Sequence, residues 1–424
     1  MRTDLKSHQL SDPHLAAVER NLRACVHCGI CTATCPTYLL TGDERDGPRG
    51  RIVMMQRMLE DGGEPSAETV HHVDRCLSCL GCRTACPSSV DYRRLVDHAR
   101  AHIEETYQRP LYDRALRAGI ALVMARPELV KLGLGLARIF APIATRLPGS
   151  LGAMAKKAIR TPRTEEEDPL HIGAGRRVAL MPGCVQQALA PSIDRAAARV
   201  LERRGIALSN LKGAGCCGAL AHHLGRREEA KRWARRNIVA FEKASGAEAI
   251  LVTATGCAAH LVDYPELFCD EPDWRARAEA FAAKVKDFSE LATPRTGGTP
   301  HALRIAHHVP CSLQHGLRRG DQGRALRAAG YKVVEIPESH ICCGSAGSYS
   351  LLQPGMATAL RQRKLDAIAT LGVDAIASAN IGCLSHLAGD NAPPVVHPAE
   401  LIDWAEGGPR PATLAAVAAP AGTR

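Results

Sequence analysis

Eight of the 17 cysteines fall into one pattern used twice. Cys25, Cys28, Cys31 and Cys35, followed by Pro36, form C-x2-C-x2-C-x3-C-P; Cys76, Cys79, Cys82 and Cys86, followed by Pro87, repeat it without change of spacing. A cubane cluster needs four thiolates converging on its iron corners. Three cysteines two residues apart wrap one loop around three corners, and the fourth, leaving through proline, serves the other cluster. The spacing therefore predicts two [4Fe–4S] clusters, one on Cys25, Cys28, Cys31 and Cys86, the other on Cys76, Cys79, Cys82 and Cys35. Gly29 and Gly81 are expected where the backbone passes close to the cluster. Zinc motifs would instead show separated C-x2-C pairs, and disulfides would need an exported chain.

A second set of cysteines also comes twice. Cys184, Cys216-Cys217 and Cys257 match Cys311, Cys342-Cys343 and Cys383: the step to the pair is 32 and 31 positions, and from the pair's second cysteine to the last it is 40 in both. Clustered thiolates could hold a further cluster or zinc, or work as a redox dithiol. A purely structural pair beside tight glycines is the plainer reading. Each last cysteine is followed by a histidine in C-x2-H, His260 and His386. His222, His223, His307, His308 and His340 flank these positions and none is singled out as a ligand. Cys269 lies outside every pattern and reads as an ordinary buried residue. Arg49 and Arg51, between the first two loops, either bond cluster sulfurs or are solvated.

These cysteines need elements to carry them. Ser11 or Asp12 can cap a helix begun by Pro13. Pro48–Glu60 reads as a helix with Ile52, Met55 and Leu59 on its apolar side. Glu68–Asp74 and Val90–Thr106 follow as helices, so residues 1–108 make a helical, ferredoxin-like bis-cluster module. Residues 109–175 are an apolar helical segment (Ala118–Ala125, Leu129–Thr145) and a polar linker with Glu165 to Asp168. The segment reads as a hairpin packed on the module or a partner, or as a basic amphipathic surface on a membrane. From Arg177, strands alternate with helices twice over. Val178–Met181 and Arg304–Val309 lead to the first cysteines, and Ala249–Thr253 and Ala375–Ser378 to the last. That alternation predicts duplicated parallel α/β half-domains, 176–290 and 303–406, joined through Ser289–Ala302, with cysteines at strand C-termini near a pseudo-twofold. Residues 407–424 are expected to be a flexible tail. The fold class is thus α+β and α/β multidomain.

Composition narrows the function. Three Trp, seven Tyr and five Phe in 424 residues leave little for a base-stacking platform, and the basic residues are dispersed, so no nucleic-acid partner is expected. The formal charge of +10 is offset by about −4 once two oxidised clusters and their thiolates are counted. The N-terminus lacks a secretory apolar segment and no run of apolar residues is long enough to span a bilayer. A reducing, cytoplasmic location is expected, with peripheral contact at the cytoplasmic face of the inner membrane.

The double loop followed by two cysteine-pair domains resembles the iron–sulfur subunit of glycolate oxidase (glycolate dehydrogenase). The narrower segments are Pro182-Gly183-Cys184-Val185-Gln186, Cys216-Cys217-Gly218-Ala219-Leu220, Glu338 to Ser350 and Ala379-Asn380-Ile381-Gly382-Cys383. The resemblance implies a non-flavin subunit of an acceptor-dependent 2-hydroxy-acid oxidoreductase. Its two partner subunits would oxidise glycolate, or D-lactate, on FAD, and this chain would pass electrons to a membrane quinone-type acceptor. No glycine-rich dinucleotide fingerprint follows a strand here, which fits a relay better than a self-sufficient dehydrogenase. Catalytic residues are not assigned. Two alternatives share the architecture: a lactate or glycerol-3-phosphate dehydrogenase subunit, and a heterodisulfide-reductase-like catalyst. Relatives of the latter kind end in C-x2-C rather than C-x2-H.

Overall fold

The structure, a computed structural model, describes residues 1–140, 171–172, 175–244, 246–295, 303–319, 321–389, 392–415 and 417. Positions 141–145 of the apolar segment, the linker acids Glu165 to Asp168, positions 296–302 of the inter-half linker, and 416 and 418–424 of the tail lie outside them.

The N-terminal module is helical around one core. Asp12 caps the helix Pro13–Ala24 by accepting from the His14 amide, with Pro13 at its first position. Gly47 precedes the helix Pro48–Asp61, whose Ile52, Met55, Met58 and Leu59 are buried. They meet Leu15, Val18 and Leu22 of the first helix and Leu95, Val96, Ala99 and Ile103 of Tyr92–Thr106. Next come two helices, Leu111–Met124 and Pro127–Ile139, packed on each other as a hairpin. The Arg117 guanidinium fixes it to the module by donating to Asp74 at 2.7 Å. The hairpin's outer side leaves Leu122, Leu132, Leu136, Ile139 and Phe140 exposed. No described helix is long and apolar enough to cross a membrane.

Two sheets follow. The first runs β1(His171–Ile172), β3(Ile206–Asn210), β2(Arg176–Leu180), β4(Ala249–Val252), β5(Val285–Asp287), parallel except for β1. The second runs β7(Lys332–Glu335), β6(Arg304–His308), β8(Ala375–Ser378), β9(Val395–Val396), all parallel. In each, the first and third strands of the half lie side by side at the sheet centre, which is the switch point where α/β sheets open a crevice at their carboxyl ends. Cys184 and Cys257 leave β2 and β4 there, and Cys311 and Cys383 leave β6 and β8.

The halves share a core. Val178, Leu180, Leu208 and Leu251 of one pack in a single cluster with Ile305, Leu326, Ala377 and Leu401 of the other. Backbone and side chains cross the same seam: Thr255 N donates to Ala379 O at 3.1 Å, and the Thr255 and Ser312 hydroxyls lie 2.7 Å apart. The segment expected to be a linker begins as the short helix Phe288–Leu291, with both end residues in this core, because Asp287 and Glu290 form a capping box. Leu414, in the expected tail, is also fully buried in it.

Candidate metal centres

The two cysteine loops have the same backbone. His27 and Gly29 in one and the equivalent Ser78 and Leu80 in the other take left-handed conformations, with φ of 56°, 80°, 51° and 63°. These left-handed residues alternate with ordinary ones and curl the chain so that successive thiols face inward. In the second loop it is Leu80, not Gly81, that bends. Gly81 is needed for another reason: a Cβ there would sit 3.2 Å from the Thr34 carbonyl of the first repeat.

A cavity of about 30 Å3 is lined by Cys25, Cys28, Cys31 and Cys86. A second, of about 20 Å3, is lined by Cys35, Cys76, Cys79 and Cys82, with Cys82 also reaching the first. Each therefore takes three thiols from its own loop and one from the other repeat. The donor sets fit iron–sulfur clusters: four convergent thiols in a small apolar enclosure, with the His27 imidazole also lining the first. Burial, with Cys25 close by, pushes the Cys31 thiol up to about 11. Burial also raises Cys79, with Cys311 its largest neighbouring influence, and Cys82. Packing sulfurs this tightly as thiolates is unfavourable unless a cation holds them, and metal supplies that.

The two enclosures differ in exposure. Cys28 is exposed, and Val26 and Ile30 beside it are 66% and 54% exposed. Around the second, Cys35, Cys76 and Cys82 are buried. Arg51 is buried there rather than solvated. It donates to Asp46 at 3.3 Å and Thr37 Oγ1 at 3.1 Å, and lies 3.9 Å from Cys35 Sγ. Arg49 stays half-exposed and pairs with Glu44 at 2.7 Å.

All eight cysteines of the half-domains line one cavity of about 230 Å3, together with Cys79. In the first half Cys184 and Cys216 sulfurs are 3.5 Å apart, and the Gly218 amide lies 3.4 Å from Cys216 Sγ. In the second, Cys343 and Cys383 sulfurs are 3.3 Å apart and those of Cys311 and Cys342 3.9 Å. Hydrogen bonds from neighbouring thiols pull Cys216 and Cys343 below the ordinary thiol range and push Cys184, Cys217, Cys342 and Cys383 above it. Cys257 and Cys311 are half-buried. Such sulfur groupings could hold a soft metal in either half.

The histidines divide. His308, buried at the end of β6, groups with Cys343 and Cys383 within metal-ligand reach, and its Nδ1 is 2.9 Å from Ser378 Oγ. His222, His223 and His260 line the cavity with Asp97. His386, the counterpart of His260, turns away to the Ala357 carbonyl at 3.1 Å, and His340 is outside the cavity lining. His307 is buried beside Gly323. Cys269 is half-exposed beside His14 and Asp270 rather than buried. Periodicity could have found His308, since it sits three residues before Cys311 on a strand ending at the crevice; nothing in the sequence links Asp97 to residues 222 and 223.

Comparison with known proteins accords with this layout. A 4Fe-4S dicluster domain model matches residues 21–90, and a cysteine-rich domain model matches residues 178–262 and 305–388. The glycolate oxidase iron-sulfur subunit of Escherichia coli is 39% identical over 96% of this chain and 99% of its own. The chain belongs to the glycolate oxidase iron–sulfur subunit family. A probable glycolate oxidase iron-sulfur subunit of Bacillus subtilis is 29% identical, covering 86% of this chain and 88% of that one. Lactate utilization protein A of Exiguobacterium is 31% identical over 50% of this chain and 89% of its own length. A crystal structure of a hypothetical protein from Helicobacter pylori has the same fold, with a TM-score of 0.57 at 10% identity over 95% of this chain and 74% of that one. The family's expected fold class, a dicluster module followed by two cysteine-rich α/β units, is the one observed.

Proposed function

We propose that this chain is the electron-transfer subunit of a glycolate dehydrogenase complex, carrying electrons from FAD-bearing partner subunits to a membrane quinone-type acceptor. The observation behind this reading is the arrangement of the three thiol groupings, from an exposed loop at Cys28, through a buried one, to the shared cavity that Cys79 also lines. Cys25, Cys28, Cys31 and Cys86 would hold one [4Fe–4S] cluster, and Cys76, Cys79, Cys82 and Cys35 the other. A further cluster or a zinc ion would be held by cysteines among Cys184, Cys216, Cys217 and Cys257, or among Cys311, Cys342, Cys343 and Cys383. When bound, each cluster accepts and releases one electron at a time, which suits a subunit placed after two-electron flavin chemistry.

The protein's own contributions are positional. The left-handed residues of each loop aim the thiols, and the Ser78 amide points at Cys76 Sγ from 3.4 Å. Arg51 supplies a buried positive charge next to Cys35. Val26 and Ile30 offer an apolar surface at the exposed loop where a flavin subunit would dock. On the hairpin, Leu132, Leu136 and Ile139 fall on one exposed side, with Lys131 and Arg126 nearby, and that side would lie on the anionic cytoplasmic face of a membrane.

Mixing the complex with glycolate anaerobically and freezing it for EPR tests this. A reduced cluster signal from this chain is expected within the first turnover. Glycolate consumption in the intact complex with this chain's clusters remaining oxidised would rule the reading out.

A further inference from the structure

Four of the fifteen buried side-chain N and O atoms that lack a hydrogen-bond partner, among the described residues, belong to residues gathered at one edge of the large cavity: Asp97 Oδ1, His222 Nδ1, His223 Nδ1 and His260 Nε2. Leaving one such atom unpaired costs about 1–3 kcal/mol, so their convergence calls for something between them. The contacts have the wrong length for hydrogen bonds. His222 Nδ1 lies 3.8 Å from Asp97 Oδ2, and His223 Nδ1 lies 3.8 Å from Asp97 Oδ1. Hydrogen bonds of this type close to about 2.7–3.2 Å, whereas neighbouring ligands around a tetrahedral cation with bonds near 2.0–2.1 Å stand roughly 3.4 Å apart. One ligand atom from each of the three residues lies within 4.8 Å of the others. His260 is only 6% exposed, and its ring centroid is 5.2 Å from that of His222.

The donors come from separate parts of the chain. Asp97 is on the helix Tyr92–Thr106 of the dicluster module, and His222 and His223 end the short helix that follows Cys216-Cys217. Two imidazoles and one carboxylate form a nitrogen–oxygen set without sulfur. For such a set the affinity order of first-row divalent ions places zinc above ferrous iron.

We infer that Asp97, His222 and His223 form a mononuclear zinc site that ties the dicluster module to the first half-domain, with His260 hydrogen-bonding a water in the fourth, cavity-facing position. The site is separate from the eight half-domain cysteines, and its oxygen and nitrogen ligands distinguish it from any zinc those cysteines would hold.

Metal analysis and zinc-edge X-ray absorption of the anaerobically purified full-length chain test the inference, with Asp97→Asn and His223→Gln as variants. About one zinc per chain with a nitrogen and oxygen shell near 2.0–2.1 Å is expected, told apart from any cysteine-held zinc by the latter's sulfur shell near 2.3 Å. Both variants should lose zinc at least tenfold while iron content and the cluster EPR stay unchanged. His223, the most exposed of the three, provides a variant that keeps the fold if Asp97→Asn does not. Absence of nitrogen- and oxygen-bound zinc in the wild type, its retention by a folded His223→Gln, or loss of one iron in its place would each overturn it.

Discussion

The two half-domains share a strand order and a cysteine spacing, yet different groups meet their sulfurs. His308, Ser378 and Asn380 surround Cys343 and Cys383 in the second half, and Asn380 Nδ2 lies 3.5 Å from Cys383 Sγ. The equivalent positions in the first half are Met181, Val252 and Ala254. Conversely, His222 stands where the second half has Ser348. Their neighbours differ as well. Leu77 and Cys79 of the second loop pack with Cys311 and Cys342, while Cys184 and Cys216 pack with Ala125 of the hairpin. Duplication preserved the frame that places the thiols. It left the polar lining free to diverge, with the second half joined to the buried cysteine loop and the first to a group of imidazoles.

If the second half is the one joined to the relay, the largest contrast will come from its sulfurs. Cys343→Ser should abolish electron delivery to the acceptor in the reconstituted complex, whereas Cys217→Ser should leave a measurable rate. Equal losses would erase the distinction. Next is the buried loop on which that junction depends. Arg51→Met removes a fully buried cation from Asp46 and Thr37 and should cost about 3–5 kcal/mol in denaturant unfolding. Arg49→Met, at a half-exposed pair, should cost less than about 1 kcal/mol.

The seam between halves carries a pH dependence. His397 is fully buried: its Nδ1 accepts from the Ala399 amide at 3.0 Å, so the Nε2 proton goes to the Thr253 carbonyl at 3.0 Å. Burial lowers its pKa to about 4. A base depressed in this way favours the folded state fully above its unfolded value of about 6.5, and that stability drains as pH falls towards 4, by about 3 kcal/mol in all. Denaturant midpoints measured where iron content is constant should show the slope, and His397→Asn should flatten it.

The glycines after the cysteine pairs sharpen the comparison further. Gly344 has φ of 92°, and a Cβ would fall 2.6 Å from the Ala357 carbonyl oxygen; at Gly218, with φ of 85°, the nearest atom would be 3.3 Å away. Gly344→Ala should therefore cost about 2–3 kcal/mol and Gly218→Ala about 1–2 kcal/mol by thermal unfolding. Asn380→Ala should have the smallest effect, a change confined to the spectroscopic signature of the second half with stability within about 1 kcal/mol.

Much of this was legible in the residues because spacing constrains metal sites and duplication repeats itself visibly. The double loop, the paired halves and the helices at Pro13 and Pro48 all carry strong local signals. The short strands at 206–210, 285–287, 332–335 and 395–396 carry no such signal: each is only two to five residues long and is held by its neighbours in the sheet rather than by its own pattern. Leu80's left-handed turn was hidden behind Gly81, since the loop geometry overrides the usual residue preference. Asp97 next to His222 and His223 depends on packing between segments distant in sequence, which one chain read linearly does not reveal.

The most direct test of the relay is a count of iron and sulfide in the anaerobically purified chain and in its Cys35→Ser variant, paired with glycolate-driven turnover in the presence of the flavin subunits. At least about eight irons in the wild type, about four fewer in the variant, and turnover to the acceptor only with the full complement are expected. An iron-free preparation that still supports full turnover would contradict the proposed role.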